Sequence, residues 1–204
     1  MSLTPEQQDL VNRAKSQPNA FSVGAAWDDA MAALKRDFWG IILGHLLGYL
    51  LIAAGSFLTF GICAPALIVG YVRFHQRKLR GEPVEIGELL SGFSDFGQSL
   101  GLGLVLVVLL TIGYLCCILP GIYLAVAWSF AFFLLADRRS DFWGLMEVSR
   151  QVVTARWFEA FLLLIVIHLI AYAGLLACGI GALVTLPFSM LMFCSAHERL
   201  FRRS

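Results

Sequence analysis

Charge is what this chain most lacks. No Asp, Glu, Lys, Arg or His lies between Phe96 and Ala136. Phe38 to Val72 and Ala160 to Ala196 are likewise free of Asp, Glu, Lys and Arg. Charged residues are 14% of the 204, against about a quarter in soluble domains. Mean hydropathy is +0.78, and the long apolar runs place the chain among polytopic membrane proteins.

Other absences narrow the function. A net charge of +1 gives nucleic acid no electrostatic footprint. No carboxylate sits inside an apolar run, where proton- or sodium-coupled carriers usually need one. The templates of zinc-, serine- and nucleotide-dependent enzymes are read as absent, so no catalytic residue, cofactor or metal ligand is assigned and the chain is expected not to be an enzyme. The five cysteines are an odd number without zinc-finger spacing. Met1 to Ala20 lacks the basic and apolar regions of a cleavable signal, so the first hydrophobic helix is expected to serve as an uncleaved signal-anchor.

The central run is too long for one crossing of roughly 20 residues. It suits two, turning at Cys116-Cys117-Ile118-Leu119-Pro120-Gly121, with Pro120 at the start of the returning helix. The flanking runs repeat the design. The expected fold is an all-α integral membrane protein: six transmembrane helices in three hairpins, about 38–75, 96–136 and 158–197. Residues 1–22 form a polar cytoplasmic tail with one short helical turn expected from Glu6 to Lys15, and 23–204 a single six-helix membrane domain. Each hairpin follows an amphipathic segment expected to lie in the cytoplasmic interface. The apolar faces of these segments are Val23, Trp27, Ala30, Met31, Leu34 and Phe38; then Ile86, Leu89, Leu90, Phe93 and Phe96; then Leu145, Val148, Val152, Ala155 and Phe158.

The first and last units share detail that suggests internal duplication. His45-Leu46-Leu47-Gly48-Tyr49 matches His168-Leu169-Ile170-Ala171-Tyr172, and Pro65…His75-Gln76-Arg77 matches Pro187…His197-Glu198-Arg199. Every Lys and Arg falls in the N-terminal segment, the loops near 73–96 and 137–159, or the C-terminal tail. The positive-inside rule then puts both termini in the cytoplasm. Re-entrant hairpins would give the same charge pattern, but their turns would need burial in protein, so crossing is the favoured expectation.

Three constellations could carry chemistry. Residues four apart share a helix face, so His45 with Tyr49, and His168 with Tyr172, form candidate intramembrane polar sites. Hydrogen-bonded packing is the plainer alternative. Cys63, Cys116, Cys117 and Cys178 gather near the turns, where a disulfide or soft-metal site competes with ordinary buried thiols. Arg73, Arg77, Lys78, Arg138, Arg139, Arg199, Arg202 and Arg203 lie just cytoplasmic of helices and are candidate contacts for anionic lipid headgroups. Gly44-x-x-x-Gly48 and Gly97, Gly101 and Gly103 permit close helix packing or self-association.

Leu119-Pro120-Gly121-Ile122-Tyr123 with Ala125 to Leu135, and Gly179-Ile180-Gly181 to Pro187, resemble a broad group of uncharacterised bacterial polytopic membrane proteins. That group is related to the membrane region of glycerophosphoryl diester phosphodiesterases. The resemblance implies a six-helix bundle in a bacterial inner membrane, with no settled activity. The phosphodiesterase domain has no counterpart here, so no catalytic residue carries over. The leading expectation is a non-enzymatic module organising lipids or partner proteins at the cytoplasmic leaflet, with membrane lipids, a second copy or another membrane protein as partners. The alternative is a transporter or channel for a small solute or amphiphile using the His/Tyr face. A redox or lipid-modifying enzyme using the turn cysteines is more distant.

Overall fold

The computed structural model describes residues 3–17, 21–137, 141–176 and 181–202. It is all-helical, with no strand among the described residues. Four helical stretches are long and apolar enough to cross a membrane: Phe38–Leu58, Ile86–Cys116, Ile118–Asp137 and Trp157–Leu176.

Residues 1–22 are more than a polar tail. Helix α1 (Pro5–Ser16) starts from a capping box in which the Thr4 hydroxyl accepts from the Gln7 N–H and the Gln7 side chain accepts from the Thr4 N–H. Its polar composition hides an apolar stripe, since Leu10, Val11 and Ala14 recur at helical spacing and are buried in the main core. α1 packs on α8 (Phe142–Ala155).

α2 (Val23–Arg36) begins at an N-cap on Ser22. Its buried face is Ala26, Ala30, Ala33 and Leu34, turned from the expected stripe, because small residues let it lie close to α10 (Ala182–Phe201) while Trp27 stays at the edge against the Phe188 ring. α3 (Phe38–Leu58) is capped by Asp37, whose carboxylate accepts from the Gly40 N–H. Its 21 residues span about 31 Å at 1.5 Å per residue. The turn of the first hairpin places Phe60 and Gly61 at positive φ, 51° and 86°. α4 (Ala64–Arg80) returns.

α4 and α10, expected as the second legs of the first and third hairpins, are not apolar along their length. α4 buries Arg73, His75 and Gln76, and α10 buries Ser195, His197 and Glu198. These polar groups face protein rather than lipid. The two helices pack on each other at the centre, with the Gln76 amide donating to His197 Nδ1 at 3.2 Å.

The second amphipathic segment is a 3₁₀ helix (Ile86–Asp95) that runs directly into α5 (Phe96–Cys116). Three residues per turn align Leu89 and Gly92 on one edge. That edge is buried against α4, while Ile86, Leu90 and Phe93 from the expected face are exposed. The approach is backbone to backbone. A Cβ on Gly70 would lie 2.1 Å from the Leu89 carbonyl oxygen, and one on Gly92 only 1.8 Å from that of Ala66.

The central hairpin turns at Cys117, and α6 (Ile118–Ala127) begins two residues before Pro120. Pro120 is therefore the third helical residue rather than the first. The first four N–H groups of a helix have no intrahelical partner, so the position is still tolerated. A tightened turn at Trp128–Phe130 separates α6 from α7 (Ala131–Asp137). α7 ends where the Gln76 and Arg73 side chains take the Phe133 and Ala136 carbonyls. α8 buries Leu145, Val148 and Val152 as expected, while Ala155 and Phe158 are exposed. α9 (Trp157–Leu176) and α10 complete the chain. The expected third turn at Cys178-Gly179-Ile180 lies outside the described residues.

Gly92→Ala should force the 3₁₀ helix off α4. The expected outcome is a loss of about 3 kcal/mol, read as a fall in melting temperature in detergent. Gly24→Ala, where a Cβ meets nothing within 4 Å, should leave melting unchanged.

A candidate site between the first and last hairpins

Two glycines build the first half of the site. A Cβ on Gly44 would collide with the Phe74 ring at 2.1 Å, and one on Gly48 with the Tyr71 ring at 2.6 Å. With both absent, α4 presses its aromatic face onto α3 and brings Tyr71 beside His45. The Gly44-x-x-x-Gly48 pair thus serves packing inside the hairpin. The Tyr71 hydroxyl and His45 Nδ1 lie 2.7 Å apart. Tyr49, one turn along α3, sets its ring 4.8 Å from that of His45 and 5.8 Å from that of Tyr71. His75 stacks behind Tyr71 at 4.3 Å and bonds through Nδ1 to the Tyr71 carbonyl oxygen at 2.9 Å.

The second half comes from α9 and α10. His168 Nδ1 donates to the Leu164 carbonyl oxygen at 2.7 Å, and the Ser189 hydroxyl donates to the Thr185 carbonyl oxygen at 2.7 Å. His45, Tyr49, Tyr71, His168, Tyr172 and Ser189 line one cavity of about 310 Å³, whose walls are completed by apolar residues including Ile167, Leu175 and Met190. All four His/Tyr residues singled out from the sequence meet at this cavity. They differ in setting: His45 is 6% exposed, whereas Tyr49 and Tyr172 are 50% and 60% exposed. His45 Nε2 is buried with no protein partner. Sequence reasoning missed Tyr71, although its place four residues before His75 was a usable signal. It also missed Ser189, which carries no pattern of its own. A second cavity of about 420 Å³ lies along the preceding turns of α9, lined by Tyr114, Ser129 and Phe161 among others, and shares His168 and Phe193 with the first.

Among the described residues, the basic side chains expected at lipid headgroups all have partners within the protein. Arg73 is a correction. It is 7% exposed, donating to the Ala136 and Ser91 carbonyl oxygens at 2.8 and 2.9 Å and pairing with Asp95 at 2.6 Å. Lys78 pairs with Asp37 at 2.5 Å, and Arg199 with Asp29 at 2.7 Å and the Ala25 carbonyl oxygen at 3.2 Å. Arg77 binds Glu82 and Glu88, and Arg202 binds Asp137, but both keep exposed guanidinium surface. Arg138, Arg139 and Arg203 lie outside the described residues. These pairs arise because buried or half-buried charge needs an opposite charge or hydrogen bonds to offset lost hydration. The Lys78 ammonium holds the Asp37 carboxyl below its ordinary range, and the Arg80 guanidinium, followed by Arg77, does the same for Glu82.

Two chemical readings need adjustment. Gly97-Gln98-Ser99-Leu100-Gly101 does spell Gly-x-Ser-x-Gly, contrary to the reading that the serine template is absent. Its setting is not the strained strand-to-helix turn of the α/β-hydrolase nucleophile elbow. Ser99 is fully buried in the first turns of α5 and donates to the Asp95 carbonyl oxygen at 2.9 Å. Of the cysteines, Cys63 caps α4 half-buried, Cys116 and Cys117 are exposed at the central turn, and Cys194 is in the core; all four are free thiols. Cys178 lies outside the described residues.

No protein-family model, curated protein or solved structure matches the chain. The resemblance to phosphodiesterase membrane regions therefore rests on its own short motifs and contributes no activity.

The Asp37–Lys78 pair sets a pH dependence. A carboxyl lowered in the folded state contributes stability above its unfolded pKa and loses it as pH falls through the folded value. The melting temperature should therefore drop below about pH 4, and Asp37→Asn, which keeps the cap on α3, should drop less steeply across that range.

Proposed function

We propose that this chain is a non-enzymatic, multi-pass protein of a bacterial inner membrane that holds a membrane amphiphile in the cavity between its first and last hairpins. The observation that carries this reading is the convergence of two sequence-distant His-x-x-x-Tyr pairs on one cavity. Apolar walls with a few convergent polar groups are the usual composition of small-molecule sites. The half-exposed Tyr49 and Tyr172 rings leave the cavity open sideways, the direction from which a lipid-dissolved molecule arrives. Because Arg73, Lys78 and Arg199 already have partners inside the protein, lipid contact is better assigned to this cavity than to the cytoplasmic basic clusters.

In the proposed topology α3, α4, α5, the α6–α7 pair, α9 and α10 make six crossings with both termini in the cytoplasm. The shielding of α4 and α10 by neighbouring helices supports this count, since their polar halves would not face lipid. The uncharged turns at 59–63 and Cys117 fit the opposite side. In a variant retaining only Cys117, a membrane-impermeant maleimide should label the turn from the periplasmic side. Labelling that appears only after the membrane is dissolved would favour re-entrant hairpins.

Ligand capture is tested in cells fed a photoactivatable fatty acid, which enters the whole lipid pool. Cross-links should concentrate on α3 and α9 peptides at the cavity and fall several-fold in Tyr49→Ala/Tyr172→Ala. Labelling spread evenly over the apolar surface would remove the reading. Transport of the amphiphile is a second reading, favoured by the two cavities that share His168. Fluorescent-lipid flux in proteoliposomes unaffected by His45→Ala and His168→Ala would eliminate it.

A further inference from the structure

The polar atoms of the cavity restrict what its occupant can be. Among the described residues, no Asp, Glu, Lys or Arg lines it, so a charged head would shed its hydration with no counter-charge to offset the cost. An anionic phosphodiester is doubly mismatched, because it brings only acceptors. A quaternary ammonium could rest on the tyrosine faces, but it offers neither donor nor acceptor to the groups beside it.

Those groups ask for a donor. His168 Nδ1 faces a carbonyl oxygen at 2.7 Å, and a carbonyl only accepts, so Nδ1 carries the proton. In the uncharged ring Nε2 is then a bare acceptor. Ser189 spends its hydroxyl proton on the Thr185 carbonyl oxygen and likewise retains only lone pairs. The His45–Tyr71 pair is ambivalent. If Tyr71 donates to Nδ1, the buried Nε2–H of His45 is left as a donor. If Nδ1–H donates to Tyr71, Nε2 becomes an acceptor and the phenol proton is released. In either tautomer the pair can meet a group that both gives and takes one hydrogen bond. A ketone or ester carbonyl, which cannot donate, leaves His168 and Ser189 unmatched. An alcohol brings one donor to this set of acceptors and can accept in return.

We infer that the cavity selects an uncharged amphiphile with a free hydroxyl head, of the class of diacylglycerols and long-chain alcohols, over anionic or choline-headed lipids. This rests on the ligand-capture reading above and specifies its chemistry. The hydroxyl sits among His45, Tyr71, His168 and Ser189, and the chains leave sideways past Tyr49 and Tyr172.

The test uses the full chain in phosphatidylcholine nanodiscs with three photoactivatable probes of identical chains: a diacylglycerol, the same molecule with its hydroxyl capped as a methyl ether, and phosphatidic acid. The diacylglycerol should label cavity peptides about tenfold more than either of the others, and Tyr71→Phe, which keeps the ring, should bring its labelling down toward that of the ether. Comparable labelling by all three probes, or stronger labelling by phosphatidic acid, overturns the alcohol inference while leaving ligand capture standing. Cavity labelling by none of them, together with even labelling by the fed fatty acid, overturns both. If Tyr71→Phe fails to fold, the three-probe comparison on the unaltered protein still decides.

Discussion

The buried Arg73 guanidinium is the constraint on which the rest of the architecture depends. A cation at this depth is tolerable only if nearly every donor is used and its charge is balanced. Arg73 meets both demands by drawing three elements together: it holds the 3₁₀ helix through the Ser91 carbonyl oxygen and Asp95, and it ends α7 at Ala136. Because Arg73 belongs to α4, the first and second hairpins are joined at α4. Gly70 and Gly92 then allow the backbones to meet.

With α4 fixed at the centre, its remaining faces are assigned. One turns Gln76 toward His197 of α10, pairing the second legs of the first and last hairpins. Another turns Phe74 and Tyr71 into the notches at Gly44 and Gly48 on α3. The His/Tyr cavity follows from these two contacts, because α3 and α9 flank the α4–α10 pair and their matching histidines come to the same side. The more polar second legs are inside, and the long apolar helices are outside, exposing residues such as Leu50, Val107 and Leu169. A soluble protein has the opposite arrangement, and in this one the apolar outer surface suits lipid.

Charge at the ends of the helices is organised by the same economy. Asp37, Asp95 and Asp141 each precede the first residue of a helix, and Asp37 and Asp141 accept from its backbone N–H groups. Asp37 and Asp95 also neutralise Lys78 and Arg73. Residues that look like free headgroup contacts in one dimension are thus partners of caps in three.

The sequence by itself determined the all-helical class, the long apolar stretches, the helix breaks near 59–63 and Cys117, and the two His/Tyr pairs. Each is encoded locally, by absence of charge, by helical spacing or by a four-residue interval. Boundaries were less legible where polar composition masked a stripe, as in α1, or where three-residue periodicity replaced 3.6, as at Leu89 and Gly92. Only the tertiary structure decided that Arg73 is interior, that Tyr71 completes the site, and that the histidines of distant hairpins face one cavity. Those outcomes depend on which helices touch, and that is set by glycine notches and ion pairs between residues far apart in the chain, where no local pattern records the partner.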